Sequence, residues 1–301
     1  RRRRAALLRV RADKPLATPL LLRDAAYTTY LAPSWLAREP RFQALAPEAS
    51  GTSWRLVDAA VAGATSLRLA YPLRGGKGLL VLPAGALRIE ALPAGRLERS
   101  RLGAVSVREG PSHLDYRVSY APHGTGGEGA PTALDLQVPQ PLVPLFAGLA
   151  ERLQLKGKPA DDVLSIVRAH FRNNFRYRLV QGPGEGSALA DFLLRTRAGH
   201  CEYFATATVL LLREAGIPAR YATGYSVQEY SAWENAYLVR ERHAHAWAQA
   251  YVKGAWRDLD TTPARWAELE ARQHSAWQQL ADLANWLSYR LADWRERADP
   301  G

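Results

Sequence analysis

The sequence predicts a β-rich domain over residues 1–140, followed by a region of mixed helices and strands over 141–270. Short apolar runs separated by turn residues recur up to about residue 140, at a spacing typical of a β-sandwich or a partly open barrel. Beyond that point, apolar residues at helical spacing alternate with short strand patterns. A stiff connection containing Pro139, Pro141 and Pro144 marks the expected boundary between the two regions.

Composition limits the kinds of partner that we expect. The 301 residues are 47% hydrophobic, enough for a sizeable core, and carry a formal charge of +11. The arginines are scattered, without a recognition helix or a stacking-aromatic motif, so we expect no nucleic-acid partner. The longest apolar runs are far shorter than the roughly 18 to 20 residues that cross a bilayer. Because the sequence begins with four arginines and has no methionine, we expect a segment of a longer protein. The four arginines suit either the flank of a membrane-spanning segment or a disordered terminus.

The second region starts with three short elements. A helix is predicted from Pro159 to about residue 173, because acidic residues follow the proline and apolar residues recur at helical spacing. A short strand over 175–179 and a short helix over 188–194 follow. Gly199 then gives the chain freedom to turn before the next helix.

The next helix begins at Cys201, the only cysteine in the chain. Apolar residues continue at helical spacing until Gly216, and Pro218 follows two residues later, a pattern typical of a helix end. Cys201 therefore lies in the first helical turn, where unpaired backbone N–H groups and the helix dipole favour a thiolate. The same N–H groups are suited to stabilising an oxyanion on a substrate carbonyl.

Two strands that follow this helix bring histidine and aspartate together. Over 243–252 polar and aromatic residues alternate with small apolar ones, so His243 and His245 are predicted to share one face of a strand. A short turn leads to a second strand that carries Asp258 and Asp260 on one face. The final segment, 271–301, has apolar residues at alternating spacings of three and four, which predicts an amphipathic helix.

A cysteine, a histidine and an aspartate on separate elements are what thiol acyl transfer requires: a nucleophile, a base and a carboxylate that orients the base. Three other interpretations remain open. Cys201, His243, His245 and an aspartate have the donor atoms for a zinc or iron site. In a second interpretation, Cys201 is an inert thiol buried in the core. In a third, the chain is a binding or scaffold protein that catalyses no reaction.

Four motifs over residues 190–263 resemble the bacterial branch of the transglutaminase-like superfamily: R-A-G-H-C-E-Y-F-A, G-I-P-A-R-Y-A-T-G-Y, H-A-W and D-T-T-P. The resemblance is greatest to membrane-anchored members, whose extracytoplasmic region carries this domain between transmembrane segments. It implies an α+β fold, with a papain-like core in which the cysteine helix packs on an antiparallel sheet. A β-rich, sandwich-like domain precedes that core, and no organic cofactor is implied.

Carried over by motif, the resemblance makes Cys201 the nucleophile, His245 the base and Asp260 the orienting carboxylate. The family often has D-P-T where this chain has D-T-T-P, which leaves Asp258 as a possible substitute for Asp260. No acidic cluster resembles the calcium sites of animal transglutaminases, so no metal is implied. The remaining candidates are auxiliary: His243, His200, Trp247 and Tyr203. His200 neighbours Cys201 but is expected to project elsewhere from the turn.

The expected reaction is attack of the thiolate on a glutamine carboxamide or another amide, with a thioester acyl-enzyme as intermediate. An amine acceptor then gives transamidation, whereas water gives deamidation or peptidase activity. The expected partner is a protein or peptide substrate, for example one in the cell envelope. The expected location is the periplasmic face of the bacterial inner membrane.

Overall fold

The computed structural model describes residues 6–38, 41–58, 63–122, 128–179, 187–264 and 266. The predicted amphipathic helix over 271–301 lies outside the described residues. The α-helices are α1 (Val143–Arg152), α2 (Ala160–Asn174), α3 (Ala188–Asp191) and α4 (Cys201–Glu214). No helix among the described residues is both long enough and apolar enough to cross a membrane.

The strands outnumber the helices. They are β1 (Leu8–Ala12), β2 (Leu20–Tyr27), β3 (Thr29–Leu31), β4 (Ser34–Leu36), β5 (Phe42–Leu45), β6 (Trp54–Arg55), β7 (Thr65–Pro72), β8 (Gly78–Leu79), β9 (Leu82–Pro83), β10 (Ala86–Glu90), β11 (Arg96–Ser100), β12 (Val105–Glu109), β13 (His113–Tyr120), β14 (Arg176–Tyr177), β15 (Ala198–Gly199), β16 (Ala219–Val227), β17 (Glu229–Ser231), β18 (Ala236–Val239), β19 (Ala244–Val252) and β20 (Ala255–Leu259).

Two antiparallel sheets enclose the first hydrophobic core. A seven-stranded sheet has the order β17-β18-β1-β7-β13-β10-β6, and a four-stranded sheet has the order β5-β11-β12-β8. Fully buried residues of both sheets pack in one cluster, among them Leu69 and Val118 from the larger sheet and Val107 from the smaller. The β-rich character predicted for the first half is thus confirmed, because alternating apolar residues of two sheets share one core.

A five-stranded antiparallel sheet with the order β20-β19-β16-β2-β9 supports the second core. Helix α4 packs on β19 and β16, and ten consecutive residues of α4, 204–213, are buried. Small residues on the inner face of β19, including Ala246 and Ala248, let the helix approach the sheet closely. The predicted mixture of helices and antiparallel strands is confirmed, with the cysteine helix packed on the sheet.

Strands from each half of the chain complete a sheet in the other half. β2 lies between β16 and β9, whereas β17 and β18 extend the seven-stranded sheet beyond β1. A bulge between Thr223 and Gly224 adjusts β16 to β2. A Cβ atom at Gly224 would lie 2.0 Å from the Leu22 carbonyl oxygen, so the close approach of these strands requires glycine. The residues up to Pro263 consequently form one compact unit, and the division near residue 140 stays a prediction about the sequence.

The turn before α4 is made at Arg197 instead of Gly199. Arg197 has a φ of 46°, in the left-handed region, and ends a π-helical turn over Phe192–Thr196. Gly199 lies in β15, which pairs in parallel with β14 through Tyr177. This pairing fixes Gly199 in extended backbone and carries the chain directly to the first residue of α4.

Candidate active site at the start of α4

Cys201 is the first residue of α4. His200, the preceding residue, has extended backbone (φ −90°, ψ 176°), and its carbonyl accepts a hydrogen bond of 3.0 Å from the Tyr203 N–H. The thiol is partly buried and lies against the second core. The structure therefore confirms the predicted position of Cys201 in the first turn of a helix.

The surroundings of Cys201 favour its ionised form. Burial raises the pKa of the thiol, but hydrogen bonds from the His200 and His245 side chains, the charge of His245 and the Ala246 amide outweigh it. The net effect lowers the pKa of Cys201 from its usual value. A lowered thiol pKa increases the fraction of thiolate, which is the nucleophilic form of cysteine.

His245 lies near the start of β19 with its side chain fully buried. Its Nε2 donates a hydrogen bond of 2.7 Å to Asp260 Oδ2, and its Nδ1 is buried. Burial lowers the pKa of His245, but the charge and hydrogen bond of Asp260 and the contact with Cys201 raise it to about 10. Cys201 and His245 therefore favour a thiolate–imidazolium pair.

The turn after β20 positions Asp260. While Oδ2 accepts from His245, Oδ1 accepts a hydrogen bond of 2.9 Å from the Thr262 N–H. The next hydroxyl, that of Thr261, lies 2.7 Å from the hydroxyl of Thr208 on α4, and both threonines are buried. The D-T-T-P segment thus holds the carboxylate against the histidine and ties its own turn to the helix that carries the cysteine.

Asp258 has other partners. Its Oδ1 accepts hydrogen bonds of 2.8 Å from Trp247 Nε1 and 2.9 Å from Gln249 Nε2. Burial raises the pKa of the Asp258 carboxyl against the lowering effect of these two hydrogen bonds. Trp247 in turn stacks on His245, with 6.1 Å between ring centroids and 20° between planes. Asp258 therefore supports the indole beside the imidazole, and Asp260 is the aspartate that contacts His245.

The prediction that His243 shares a strand face with His245 is wrong. β19 begins at Ala244, and His243 ends a 3₁₀ turn in which its Nδ1 accepts a 3.2 Å hydrogen bond from the Arg240 N–H. Burial and the charges of Arg242 and Arg240 lower the pKa of His243 to about 4, despite Glu229.

Within the described ranges, no three His, Cys, Asp or Glu side chains are grouped so as to hold a metal ion.

The His200 ring lies beside the first turn of α4. It packs edge-on against Tyr203, with centroids 4.8 Å apart, and the His200 side chain contributes to the lowering of the Cys201 pKa. Tyr203 lies 5.6 Å from Phe192, at the edge of the aromatic core.

An aromatic group from the first half of the chain packs against α4. Trp35 stacks on Tyr221 at 5.2 Å and donates a 2.9 Å hydrogen bond to Thr206 of α4. Burial, then the charges of Glu202 and Cys201, raise the pKa of Tyr221, so its hydroxyl stays protonated. Sequence analysis missed the contact of Trp35 with Tyr221, because it depends on the folding of the first half of the chain against β16 and no local pattern signals it.

Comparisons with known proteins agree with this arrangement. Residues 147–261 match the family described as the transglutaminase-like superfamily. The chain is 33% identical over 130 residues to the protein-glutamine gamma-glutamyltransferase of Pseudomonas aeruginosa, which is 42% of this chain and 20% of that protein. It is 44% identical over 136 residues to the uncharacterized protein YebA of Bacillus subtilis, or 42% of this chain and 18% of that protein. The match thus spans about a fifth of each relative's length.

A solved structure resembles almost the whole chain. The periplasmic domain of TgpA from Pseudomonas aeruginosa superposes with a TM-score of 0.68 at 22% identity, over 92% of this chain and 93% of that one. The same domain bound to ethylmercury gives a TM-score of 0.64 at 23% identity, over 86% and 90% of the two chains. These similarities establish the fold, including the β-rich first half.

Proposed function

The chain carries a transglutaminase-like domain over residues 147–261, and from this premise we propose that it catalyses cysteine-dependent acyl transfer from glutamine carboxamides. The supporting observation is the convergence of Cys201, His245 and Asp260 at the start of α4. A lowered thiol pKa and a raised imidazole pKa are the combination that a thiol nucleophile and its acid partner require.

In the first step of the proposed reaction, the Cys201 thiolate attacks the carbonyl carbon of the carboxamide. The carbon–sulfur bond forms, and the oxyanion is stabilised by N–H groups of the first turn of α4. The carbon–nitrogen bond then breaks as the His245 imidazolium gives its proton to the departing ammonia. The products are a thioester on Cys201 and a neutral His245, which Asp260 holds in one tautomer through Nε2.

In the second step, an acceptor resolves the thioester. A primary amine attacks the thioester carbonyl and gives its proton to His245, and sulfur leaves with the bonding electrons as thiolate. Water in place of the amine gives deamidation. The name of the Pseudomonas aeruginosa relative, a protein-glutamine gamma-glutamyltransferase, favours the amine as acceptor. Peptidase or amidase activity with the same three residues is the competing outcome.

The proposed substrate is a protein or peptide outside the cytoplasm. The solved structure that resembles this chain is a periplasmic domain, which supports an extracytoplasmic location. We propose further that the whole protein is membrane-anchored, with this region on the periplasmic face. The basic composition, +11 formally, favours acidic substrates or polymers of the cell envelope by long-range attraction.

Mass spectrometry of product mixtures tests the reaction class. A glutamine-containing protein is incubated with the chain and a fluorescent primary amine, and the Cys201→Ala variant serves as the control. Transamidation couples the amine with loss of ammonia, deamidation converts glutamine to glutamate, and peptidase activity shortens the protein. We expect amine coupling that depends on Cys201. Cleavage without coupling would replace transferase by peptidase, and equal product from the Cys201→Ala variant would overturn the proposal.

A further inference from the structure

The imidazole of His245 needs more than one contact to be fixed in a plane. The torsion that turns a histidine ring about its Cβ–Cγ bond has broad energy wells. The hydrogen bond from Nε2 to Asp260 fixes the ring at one atom. Across the sheet, the neighbour of His245 on β16 is Gly224, which has no side chain to contact the ring. The plane of the imidazole therefore depends on the residues along β19.

Trp247 presents a flat surface beside this imidazole. It lies two residues after His245, on the same face of β19. The two rings are stacked, with 20° between their planes and 6.1 Å between their centroids. Trp247 is fully buried, so its indole has little freedom to move in the packed interior. The indole consequently limits the tilting of the imidazole about its hydrogen bond to the carboxylate.

A chain of hydrogen bonds holds the indole in turn. Trp247 Nε1 donates to Asp258 Oδ1 at 2.8 Å, and the same oxygen accepts from Gln249 Nε2 at 2.9 Å. The amide oxygen of Gln249 accepts a hydrogen bond of 2.8 Å from Arg23. Charge fixes the orientation of this amide, because its N–H group faces a carboxylate and its oxygen faces a guanidinium. Each donor in the chain is thus matched with an acceptor.

The far end of the chain is anchored in the first half of the protein. Arg23 lies on β2, and its guanidinium also donates to the Leu102 carbonyl at 3.1 Å and to the Glu128 carboxylate at 2.8 Å. The side chains of Arg23 and Glu128 are 9% and 7% exposed, so solvent screens this ion pair little. Contacts from both halves of the chain therefore set the position of the indole.

We propose that Trp247 is a positioning residue that holds the imidazole of His245 in one plane. The chain of hydrogen bonds from Asp258 to Arg23 holds the indole in that position. In the proposed reaction, the imidazole gives a proton to the leaving nitrogen and takes one from the acceptor, and both transfers require a fixed direction of the ring. This inference deepens the proposed function and rests on it for the proton transfers, whereas the ring contact itself needs no substrate.

Steady-state kinetics on one glutamine substrate test the proposal. Trp247→Leu removes the ring surface, so we expect kcat to fall by about tenfold or more while KM changes by less than about twofold. Trp247→Phe keeps a ring without the N–H donor and should recover part of this loss. An unchanged kcat in Trp247→Leu would overturn the proposal.

Trp256→Leu is the matched control. It removes a second buried indole of the same sheet, on β20, whose Nε1 donates to the Gly129 carbonyl at 3.0 Å. Its kcat should follow the wild type. A loss equal to that of Trp247→Leu would overturn the proposal, because it would indicate a general effect of indole removal on the sheet.

The pH dependence of Cys201 alkylation tests the ring contact without substrate. Cys201 is the only cysteine, so intact mass after iodoacetamide treatment reports one site. Because the charge of His245 favours the thiolate, Trp247→Leu should raise the midpoint of the rate profile by about half a pH unit or more. In a His245→Ala background the same substitution should have no further effect, since the indole acts through the imidazole. An unchanged midpoint, or a shift that persists in the His245→Ala background, would overturn the proposal.

A double-mutant cycle tests whether Asp258 acts through the indole. Asp258→Ala removes the acceptor, whereas Trp247→Phe removes the donor. If the carboxylate acts by holding the indole, Asp258→Ala should lower kcat less in the Trp247→Phe background than in the wild type. Asp258→Asn keeps an oxygen acceptor and should lose less than Asp258→Ala. Losses that add in log kcat would overturn the link from Asp258 to Trp247, and circular dichroism confirms that each variant is folded.

The two readouts separate this inference from the proposed function. A shifted alkylation midpoint in Trp247→Leu without amide turnover in the wild type would retain the positioning role and overturn acyl transfer. Amide turnover with kcat and midpoint unchanged in Trp247→Leu would retain acyl transfer and overturn the positioning role.

Discussion

Single residues decide whether the sulfur and the imidazole are charged. His245 donates a hydrogen bond of 2.7 Å to Asp260, whereas Asp258 accepts hydrogen bonds from Trp247 and Gln249. A carboxylate that contacts the imidazole stabilises the imidazolium and selects its tautomer. The two aspartates, two residues apart on the chain, therefore have separable effects.

Asp260→Asn should lower kcat/KM by a factor on the order of a hundred or more, because the amide cannot stabilise the imidazolium as the carboxylate does. Asp258→Asn serves as the matched variant. It retains an oxygen for Trp247 and Gln249, so we expect a loss of less than about tenfold. Steady-state kinetics on one glutamine substrate provide the comparison. A greater loss for Asp258→Asn would transfer the orienting role to that residue.

The pH profile of kcat/KM should form a plateau bounded by the two perturbed groups. Below the lowered pKa of Cys201 the thiolate is protonated and the nucleophile is lost. Above about pH 10 His245 loses the proton that the leaving group needs. We therefore expect the rate to fall on the alkaline side near pH 10. In Asp260→Asn this fall should occur at lower pH, and an unchanged alkaline limb would contradict the role of Asp260 in raising the histidine pKa.

At the scale of residues, the sequence predicted which residues form the candidate site better than it predicted where their side chains point. The motifs selected His245 and Asp260, whose side chains hydrogen-bond to each other, and Cys201, the first residue of α4. The direction of His200 depends on a ring contact with Tyr203, and ring contacts leave no periodicity in the sequence. His243 fits the alternating pattern of β19 in the sequence, but it belongs to the 3₁₀ turn Glu241–His243, and the strand begins one residue later at Ala244.

At the scale of elements, the link between α4 and the turn after β20 fixes the distance between thiol and carboxylate. That link is the 2.7 Å hydrogen bond between Thr208 and Thr261, both of which are buried. The sequence indicated the helix and the strand separately, through their periodicities. It could not indicate this contact, because two threonines 53 positions apart carry no shared pattern.

Valine substitutions at Thr208 and Thr261 should be non-additive. Each single change leaves the other buried hydroxyl without its partner, at a cost of about 1 to 3 kcal/mol in the free energy of unfolding. The double change removes both hydroxyls at nearly constant volume, so its cost should be well below the sum of the two. Urea unfolding of the four proteins gives the coupling energy. Additive costs would show that the two hydroxyls stabilise the fold independently.

At the scale of the whole molecule, the candidate catalytic sheet depends on a strand from the first half of the chain. β2 pairs with β16 over residues 20–27, and Leu22 on β2 is fully buried. Arg23 on the same strand donates a 2.8 Å hydrogen bond to Gln249 on β19 and bonds Glu128 at the same distance. Composition predicted a β-rich region and a mixed region, but pairing between distant strands depends on contacts that a linear pattern does not encode.

Because strands of the first half of the chain complete the five-stranded sheet, we expect that residues 141–263 do not fold alone. Removing the first half takes β2 and β9 from the five-stranded sheet, which exposes the edge of β16 and the core beneath Tyr221. We expect the fragment to aggregate or to lack cooperative unfolding by circular dichroism, whereas co-expression with residues 1–140 should restore a soluble complex. The rate of Cys201 alkylation gives a second readout, because His245 is positioned to stabilise the thiolate only when β19 is in place. A monomeric fragment with cooperative unfolding and the alkylation profile of the full chain would show that the second core is independent of the first.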